Sequence, residues 1–480
     1  MSYISFLFFG FLFIALALYY IVPLKWRKYV LLCANVVFYA YAGISQIVYL
    51  AVLIVLTYFS ARLLQKFVKR RSIVLLSYLL LSAGALVYGK FINYILRAIS
   101  SIAGGAPLSV SVIVPLGVSF FTLQAIGYVV DVYKHKYPAE KNFLKVALFM
   151  SYFPIIVQGP ISRMETLSPQ LFEGNKFDYT GVKQGLLLML WGLFKKLVIA
   201  NRAAMFADPI FGGYEAYSGF TVVFGVLMYT LQIYTDFSGC VDLCRGVSEM
   251  FGITIMDNFD HPYFSTSIKD FWRRWHISLS SWLRDYVYIP LGGNRRGKFR
   301  KYLNLMITFL VSGLWHGVGI HYLVWGFYHG ACQIVGDVSR APKDYLIKKL
   351  QIRRDVFSFR LAQQLITFVL IAYSWLLFRA NGFRAALYMT RSLFTNFFSP
   401  TQFATAFGFE DLKDLFVLII ATVVLLMASL LQQKYHIRTE LEKQNLYFRW
   451  GAYLIILFAI IIFGVYGTGY NASDFLYMQF

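Results

Sequence analysis

The chain contains 480 residues, of which 59% are hydrophobic and only 14% are charged, and its mean hydropathy is +0.60. A soluble domain would carry about 25% charged residues, so this composition excludes an ordinary soluble protein and predicts an all-α polytopic membrane protein. The net charge of +22 comes from lysines and arginines scattered between apolar segments. That distribution favours attraction to anionic lipid and retention of loops in the cytoplasm over binding of nucleic acid.

Apolar segments of spanning length recur along the whole chain, beginning with 3–23. This first segment lacks the basic start and cleavage site of a signal peptide. Lys25, Arg27 and Lys28 follow it, which predicts an extracytoplasmic N-terminus. The later segments cover approximately 29–43, 46–62, 73–95, 111–130, 143–160, 184–201, 217–236, 302–336 (two segments in one reading), 359–378, 412–432 and 447–468. Together they predict roughly eleven to thirteen transmembrane or re-entrant pieces.

The sequence between these segments contains neither a visible repeat nor room for a soluble domain. We therefore predict a single membrane domain over 1–480, with a motif-bearing core at about 115–337 and a C-terminal tail at 471–480. Basic clusters mark the cytoplasmic side; they are Lys66 to Arg71, Arg295 to Lys301, Lys343 to Arg354 and Lys434 to Arg449. Proline and glycine interrupt several apolar segments, which predicts re-entrant elements that line a central cavity.

Two aspartates, Asp236 and Asp242, interrupt an apolar stretch in the middle of the chain. Asp242 has the spacing to pair with Arg245 on a helix. We favour a buried polar network at a helix kink, and a proton relay is the alternative. The four cysteines lie in apolar surroundings, which argues against a disulfide framework or a zinc site.

The most polar stretch of the apolar core runs from Ser265 to Asn294, and Ser312 to Gly317 follows it. His316 in the second block is a lone histidine in an apolar stretch, and a neutral imidazole there can act as a general base. Trp315 beside it is a candidate supporting residue, and the glycines on either side, Gly313 and Gly317, predict room for a substrate. The alternative is a histidine that only packs helices together.

His276 in the first block lies 40 residues before His316, so the two histidines cannot share a helix and the fold must bring them together if they cooperate. Asp285, Arg274 and Asn304 are candidates for orienting His276. The alternative is an interfacial histidine that caps a tryptophan-rich amphipathic helix.

Two further histidines, His321 and His329, are eight residues apart and share a helical face. Because no carboxylate or cysteine has ligand spacing with them, we expect no metal. Nucleophile motifs such as Gly-x-Ser-x-Gly are also missing. A base without a nucleophile suits direct acyl transfer, in which a histidine deprotonates a hydroxyl while its oxygen attacks an activated carbonyl.

Several motifs together resemble the membrane-bound O-acyltransferase family, and most of all its bacterial branch typified by the alginate O-acetyltransferase membrane subunit. The motifs cover the chain from about residue 115 onward. They are Pro115 to Gln124, Tyr152 to Pro160, Gln232 to Gly239, Trp272 to Ser280, Trp282 to Tyr286, Ile289 to Asn294 and Gly313 to Gly317.

The resemblance implies a ring of helices around a funnel or tunnel, with His316 at the position of the family's near-invariant histidine and His276 at that of a second histidine. It also implies a thioester donor that arrives from the cytoplasm, either acetyl-CoA or an acylated phosphopantetheine carrier protein. Arg273, Arg295 and Arg296 are candidates to attract this anionic donor. Plain retention of positive loops in the cytoplasm is the alternative for the two arginines at 295 and 296.

The C-terminal tail ends in the pattern Phe-x-Tyr-x-x-Phe, which resembles the tail of a small partner peptide in D-alanylation systems. Tyr477 is therefore a candidate transient acyl carrier. The alternative is an interfacial aromatic anchor.

The sequence thus predicts an O-acyltransferase of a bacterial cytoplasmic (inner) membrane. It would move a short acyl group, with acetyl favoured, to an extracytoplasmic polysaccharide through a partner transferase. Carrier-dependent transfer of D-alanine to a cell-envelope polymer is one alternative. A transporter or flippase with a histidine proton relay is another, although we see none of the paired, interrupted halves that many transporters carry.

Overall fold

The computed structural model describes residues 1–112, 114–397, 402–403, 407 and 409–466. Within these residues the regular secondary structure is helical, and a single isolated bridge joins Phe259 to Trp275. The predicted all-α fold is confirmed. The tail at 471–480, including Tyr477, lies outside the described residues.

The helices follow the chain in this order: α1 Phe6–Ile21, α2 Arg27–Ala40, α3 Ile44–Lys66, α4 Arg71–Ile102, α5 Val118–Tyr133, α6 Phe143–Ser151, α7 Met164–Glu173, α8 Tyr179–Leu193, α9 Asn201–Gly212, α10 Gly219–Met250, α11 Ile268–Arg274, α12 Ile277–Leu283, α13 Gly297–His316, α14 Ile320–Val338, α15 Arg340–Lys349, α16 Phe357–Arg379, α17 Phe383–Ser392, α18 Phe409–Gln432, α19 Ile437–Glu442 and α20 Leu446–Phe463. Wider π-helical turns follow α8 at Phe194–Ala200 and α12 at Arg284–Tyr288.

Among the described residues, six helices are long and apolar enough to cross a membrane: Ile44–Lys66, Val68–Ile102, Gly219–Met250, Phe357–Arg379, Asp411–Gln432 and Leu446–Phe463. The polytopic character is thus confirmed. These helices differ in how deeply they are buried. In Gly219–Met250, 67% of the most apolar stretch is buried inside the protein, but in Leu446–Phe463 only 6% is. The first is therefore an interior helix, whereas the second offers its apolar side chains to lipid. The predicted ring around a tunnel stays a prediction.

Several helices end near proline or glycine, at positions that the hydropathy pattern alone did not predict. The apolar segment predicted at 143–160 is helical only as far as Ser151, and buried turns that contain Pro154 and Gly159 follow it. The segment at 302–336 forms two helices, α13 and α14, which separate at Gly317 to Gly319. These turns are tolerated because surrounding protein covers their polar backbone.

The chain groups into two compact units. The first contains residues 1–190 and 240–256, and the second contains 191–239 and the described residues from 257 onward. In the first unit, Tyr3 stacks on Phe38 at 5.5 Å between ring centroids and donates a 2.7 Å hydrogen bond to the carbonyl of Phe153. Both histidine blocks belong to the second unit. The single membrane domain remains a prediction.

The aspartates in the middle of the chain are paired. In the second unit, the buried carboxylate of Asp236 pairs with the buried ammonium of Lys196, which lies in the π-helical turn after α8. The neighbouring ammonium of Lys195 donates to the hydroxyl of Ser238 at 3.0 Å. In the first unit, Asp242 lies 3.9 Å from Arg245, as their spacing predicted. Asp236 thus belongs to a buried polar network, as expected, whereas Asp242 is only half-buried and α10 continues unbroken from Gly219 to Met250, so the expected helix kink is not present.

Candidate active site

A helical hairpin of α13 and α14 positions His316. The two helices pack closely because glycines stand where they meet: a Cβ atom at Gly326 would lie 2.4 Å from the carbonyl oxygen of Phe309, and one at Gly313 would lie 2.3 Å from that of Tyr322. Small residues allow this close approach of helix backbones. The packing fixes the end of α13, and His316 is its last residue.

Aromatic rings surround the imidazole of His316, which is 3% exposed. Its centroid lies 4.8 Å from that of Trp315 and 5.2 Å from those of Trp325 and Phe378, all in edge-on contacts. Such apolar surroundings disfavour a standing charge on the ring. The arrangement suits an imidazole that is neutral at rest and takes a proton only during reaction.

The predicted room beside His316 is not present at its two neighbouring glycines. A Cβ atom at Gly317 would lie 2.1 Å from the ring of Tyr322, and the space at Gly313 is filled by the backbone of the same tyrosine. The glycines therefore serve helix packing, and the expectation that they admit a substrate was wrong.

His276 lies between α11 and α12 in a left-handed backbone conformation, with φ 45° and ψ 53°. It is 1% exposed, and its burial lowers the pKa of the imidazole to about 3. Its Nδ1 atom lies 3.4 Å from Oδ1 of Asn258, and its ring meets that of Phe237 at 4.8 Å between centroids. His276 is therefore a neutral, buried histidine and not an interfacial one.

His276 and His316, the two histidines predicted from the sequence, contact the same tryptophan. The indole of Trp315 contacts the ring of His276 at 6.1 Å and that of His316 at 4.8 Å between centroids. Trp315 thus contacts both histidines, and its supporting role stays a prediction. The 40-residue separation along the chain is closed by the packing of the 258–278 region against the end of α13.

The residues expected to orient His276 have other partners. Asp285 pairs with Arg284 at 3.0 Å, and Arg274 pairs with Asp270 at 3.1 Å. Asn304 donates a 2.9 Å hydrogen bond to the carbonyl of Gly293, so it anchors the turn before α13. It precedes Trp315 by eleven residues on the same helix, which is about 16 Å of helical rise. Asn258, a residue that the sequence did not single out, provides a polar contact to His276.

His329 is a second residue whose role the sequence did not reveal. The indole of Trp272 donates a 3.2 Å hydrogen bond to its Nδ1 atom, and its ring contacts Trp325 at 4.8 Å, the same tryptophan that contacts His316. From the sequence, its spacing from His321 raised only the question of a metal site, which we did not expect. Among the residues that the structure describes, no group of three or more histidine, cysteine, aspartate or glutamate side chains is placed to hold a metal ion.

A cavity of about 1330 Å³ lies within the second unit, along one face of α13. The α13 residues that line it are Lys301, Tyr302, Leu305, Thr308, Phe309 and Ser312. This face extends over about 16 Å at 1.5 Å per residue. Ser312 is one helical turn before His316, which does not itself line the cavity.

Cationic side chains line this cavity: Lys269, Arg273, Arg284, Lys301, Arg340 and Lys343. Among the described lining residues the acidic one is Asp337, whose carboxylate accepts hydrogen bonds from Lys301 at 2.6 Å and Tyr302 at 2.9 Å. These bonds lower the pKa of Asp337, so it stays ionised and neutralises Lys301. The remaining positive charge suits an anionic ligand.

The three arginines predicted to attract a donor have different positions. Arg273 lines the cavity, whereas Arg295 and Arg296 are exposed in the turn before α13 and do not line it. The sequence did not assign Arg340 and Lys343 of α15 to the donor, although Lys343 begins one of the basic clusters, and both residues line the cavity.

Comparison with known proteins places this site in a family. The model of the MBOAT, membrane-bound O-acyltransferase, family matches residues 138–378, which include both histidine blocks. A probable alginate O-acetylase of Pseudomonas aeruginosa is 35% identical over 81% of this chain and 73% of its own. A peptidoglycan O-acetyltransferase of Helicobacter pylori is 33% identical over 76% and 73%. A teichoic acid D-alanyltransferase of Bacillus subtilis is 27% identical over 45% and 56%.

Proposed function

The chain belongs to the membrane-bound O-acyltransferase family and is an O-acyltransferase, and from this premise we propose its substrates and mechanism. It transfers a short acyl group, with acetyl favoured, from a cytoplasmic thioester to hydroxyls of an extracytoplasmic polysaccharide. One observation carries the proposal: the buried, aromatic-enclosed His316 lies one turn beyond a cavity that cationic side chains line.

The cavity suits a donor with a phosphate-bearing end and a long thioester arm. Arg273, Arg340 and Lys343 would attract the phosphates of acetyl-CoA or of an acylated phosphopantetheine carrier protein. The apolar face of α13, with Leu305 and Phe309, would cover the arm as it extends toward Ser312. The thioester would then lie close to His316.

His316 acts as the general base. It takes the proton of the acceptor hydroxyl while that oxygen attacks the thioester carbonyl, and the tetrahedral intermediate then expels the thiolate. The imidazolium returns the proton to the departing sulfur, so the enzyme regains its resting state. A positioned base of this kind contributes about 10²- to 10⁴-fold to a rate. His276 binds the acceptor hydroxyl.

The relatives favour acetyl transfer to an envelope polysaccharide. The alginate and peptidoglycan O-acetyltransferases match about four fifths and three quarters of this chain, whereas the D-alanyltransferase matches less than half. We therefore retain D-alanyl transfer as the second candidate. A separate extracytoplasmic transferase is the proposed partner that completes acylation of the polymer.

Tyr477 is the proposed acyl relay between this enzyme and its partner. The chain before the tail is fixed in the second unit, because the amide of Val465 donates to the carbonyl of Leu197 at 2.9 Å and its carbonyl accepts from Asn201 at 3.0 Å. Mass spectrometry of enzyme trapped with donor should find the acyl group on Tyr477. Acylation confined to other residues, together with full activity of Tyr477→Phe, would end the idea.

The proposed location is a bacterial cytoplasmic membrane, with the N-terminus outside and the basic loops inside. Lys25 and Lys28 after α1 support this orientation through the positive-inside rule. Anionic lipid headgroups on the cytoplasmic side would attract the net positive charge.

Proteoliposomes with radiolabelled acetyl-CoA on the side of the basic loops and a soluble polysaccharide acceptor on the other test the transfer. Labelled acetyl on the acceptor, and its loss in His316→Ala, is the expected result. Movement of intact solute across the bilayer without acylation would replace the proposal with the transporter alternative. Label that appears only with a D-alanyl donor on a carrier protein would select the second candidate.

A further inference from the structure

A short backbone pairing holds the segment that contains His276. The carbonyl of Asn258 accepts from the amide of Ile277 at 3.0 Å, and the amide of Asp260 donates to the carbonyl of Arg274 at 2.9 Å. Between them, Phe259 and Trp275 form an antiparallel bridge. The loop at 258–260 thus lies beside the backbone of His276 and holds it in place at the start of α12.

The side chain of Asn258 adds a bond that identifies its oxygen. The amide N–H of Ser278 donates to Oδ1 of Asn258 at 2.9 Å, and the residue is 1% exposed. An N–H can only be paired with an acceptor, so the atom facing it must be the carbonyl oxygen and not the amide nitrogen. The orientation of this amide group is therefore settled by the backbone of α12.

The same oxygen determines which nitrogen of His276 carries hydrogen. Oδ1 of Asn258 lies 3.4 Å from Nδ1 of His276, and an amide oxygen can only accept. Nδ1 must therefore be the protonated nitrogen of the neutral imidazole, which leaves the lone pair on Nε2. Burial lowers the pKa of His276 to about 3, so the neutral form persists near neutral pH.

We propose that Asn258 is a positioning residue that holds His276 as the Nδ1–H tautomer, so that Nε2 accepts a hydrogen bond from the alcohol hydroxyl of the acceptor. The role at the hydroxyl rests on the proposed function, whereas the tautomer does not. A neutral amide stabilises an imidazolium less than a carboxylate does. His276 consequently orients the hydroxyl, and the proton goes to His316.

The backbone of His276 supports this assignment. A left-handed conformation is strained for a residue with a side chain and persists only where its surroundings enforce it. Asn258 supplies that enforcement through its backbone bond to Ile277 and its side-chain bond to Ser278, the two residues that follow the strained one.

His329 provides an internal reference with the opposite tautomer. The indole N–H of Trp272 can only donate, so Nδ1 of His329 accepts and its hydrogen lies on Nε2. The structure thus assigns two fully buried histidines in one protein to two different tautomers.

Nitrogen-15 spectra of histidine-labelled protein in lipid bilayers test the tautomers directly. The expected result is an Nδ1–H signal that disappears in His276→Gln and an Nε2–H signal that disappears in His329→Gln. An Nε2–H tautomer for His276 in the unaltered protein would overturn the proposal. This readout needs no acyl transfer, so its failure and the failure of the proposed function are distinguishable.

Variants at Asn258 link the tautomer to activity. Asn258→Asp keeps an acceptor oxygen at the same place, so we expect the Nδ1–H tautomer and more than a third of the acetyl-transfer rate. Asn258→Leu should lose the Nδ1–H signal and at least tenfold in kcat/KM for the acceptor. Asn304→Leu removes another buried asparagine of the same unit and should leave the His276 tautomer unchanged. A folded Asn258→Leu protein with an unaltered tautomer would refute the role of Asn258.

Discussion

The imidazole of His316 combines an apolar enclosure with one feature that favours a transient positive charge. It is the last residue of α13, and the C-terminal end of a helix carries partial negative charge. The rings of Trp325 and Phe378 pack edge-on against the imidazole at 5.2 Å between centroids and form part of the enclosure. The enclosure disfavours a charge on the resting ring, and in the proposed mechanism the helix end would stabilise the imidazolium formed when the hydroxyl is deprotonated.

Removal of this imidazole should abolish acyl transfer. We expect His316→Ala to lower kcat by about 10²- to 10⁴-fold, the range for loss of a general base, while expression and detergent stability stay near those of the unaltered protein. The exposed His436 supplies the matched control, since His436→Ala should leave the rate unchanged. Substantial residual activity in His316→Ala would remove this histidine from the mechanism.

The bond between Trp272 and His329 should contribute to stability. Trp272→Phe keeps the ring but removes its N–H, which leaves buried Nδ1 of His329 without its donor and should cost about 1–3 kcal/mol in unfolding free energy. His329→Leu in the same chain removes the stranded acceptor and should restore part of the loss. Thermal unfolding in detergent measures both, with Trp191→Phe as control. Equal stability of Trp272→Phe and the unaltered protein would contradict the role of the bond.

The sequence predicted the two central histidines but not their partners. Residue type and the resemblance to a family were enough to single out His316 and His276. Asn258 lies 18 residues before His276 in a loop without a periodic pattern, and only the backbone bridge at Phe259 brings it into reach. Trp272 and His329 likewise meet through tertiary packing, which local spacing does not encode.

Helices were predictable where hydropathy was continuous and less so where polar or breaking residues intervened. α16 begins and ends within two residues of its predicted segment at 359–378. α10 continues to Met250, far beyond the predicted end at 236, because Asp236 is neutralised by Lys196 and so does not interrupt the helix. The block from Ser265 onward, where an amphipathic helix was the alternative interpretation, forms two short helices that turn at His276.

The α13–α14 hairpin depends on close backbone approach at Gly326. A methyl group there would lie 2.4 Å from the carbonyl oxygen of Phe309, so Gly326→Ala must push the helices apart. We expect a loss of about 1–3 kcal/mol in stability and reduced transfer, because the adjacent Trp325 contacts His316. Gly451→Ala in α20 is the control, since its methyl group would meet open space. Comparable melting temperatures for the two variants would show that the close backbone approach at Gly326 does not contribute to stability.

Across the whole molecule, the net charge of +22 serves more than one purpose. The composition predicted attraction to anionic lipid, and exposed basic residues such as Lys348 and Lys349 fit that role. Another part of the same charge lines the cavity beside α13, where Asp337 neutralises Lys301 but leaves Arg340 and Lys343 available to a ligand. Composition could predict the total charge but not this division, because the division depends on how α13, α14 and α15 pack.

The division of charge predicts which basic residues matter for the donor. Replacement of both Arg340 and Lys343 by glutamine should raise KM for acetyl-CoA about tenfold, the effect of one lost charge-assisted bond, while kcat changes little because His316 is untouched. Added salt should narrow the difference by screening the charges that remain. Lys348→Gln with Lys349→Gln removes the same charge outside the cavity and should leave KM unchanged. A larger rise in KM from this second pair would mean that the donor docks on the exposed basic surface and not in the cavity.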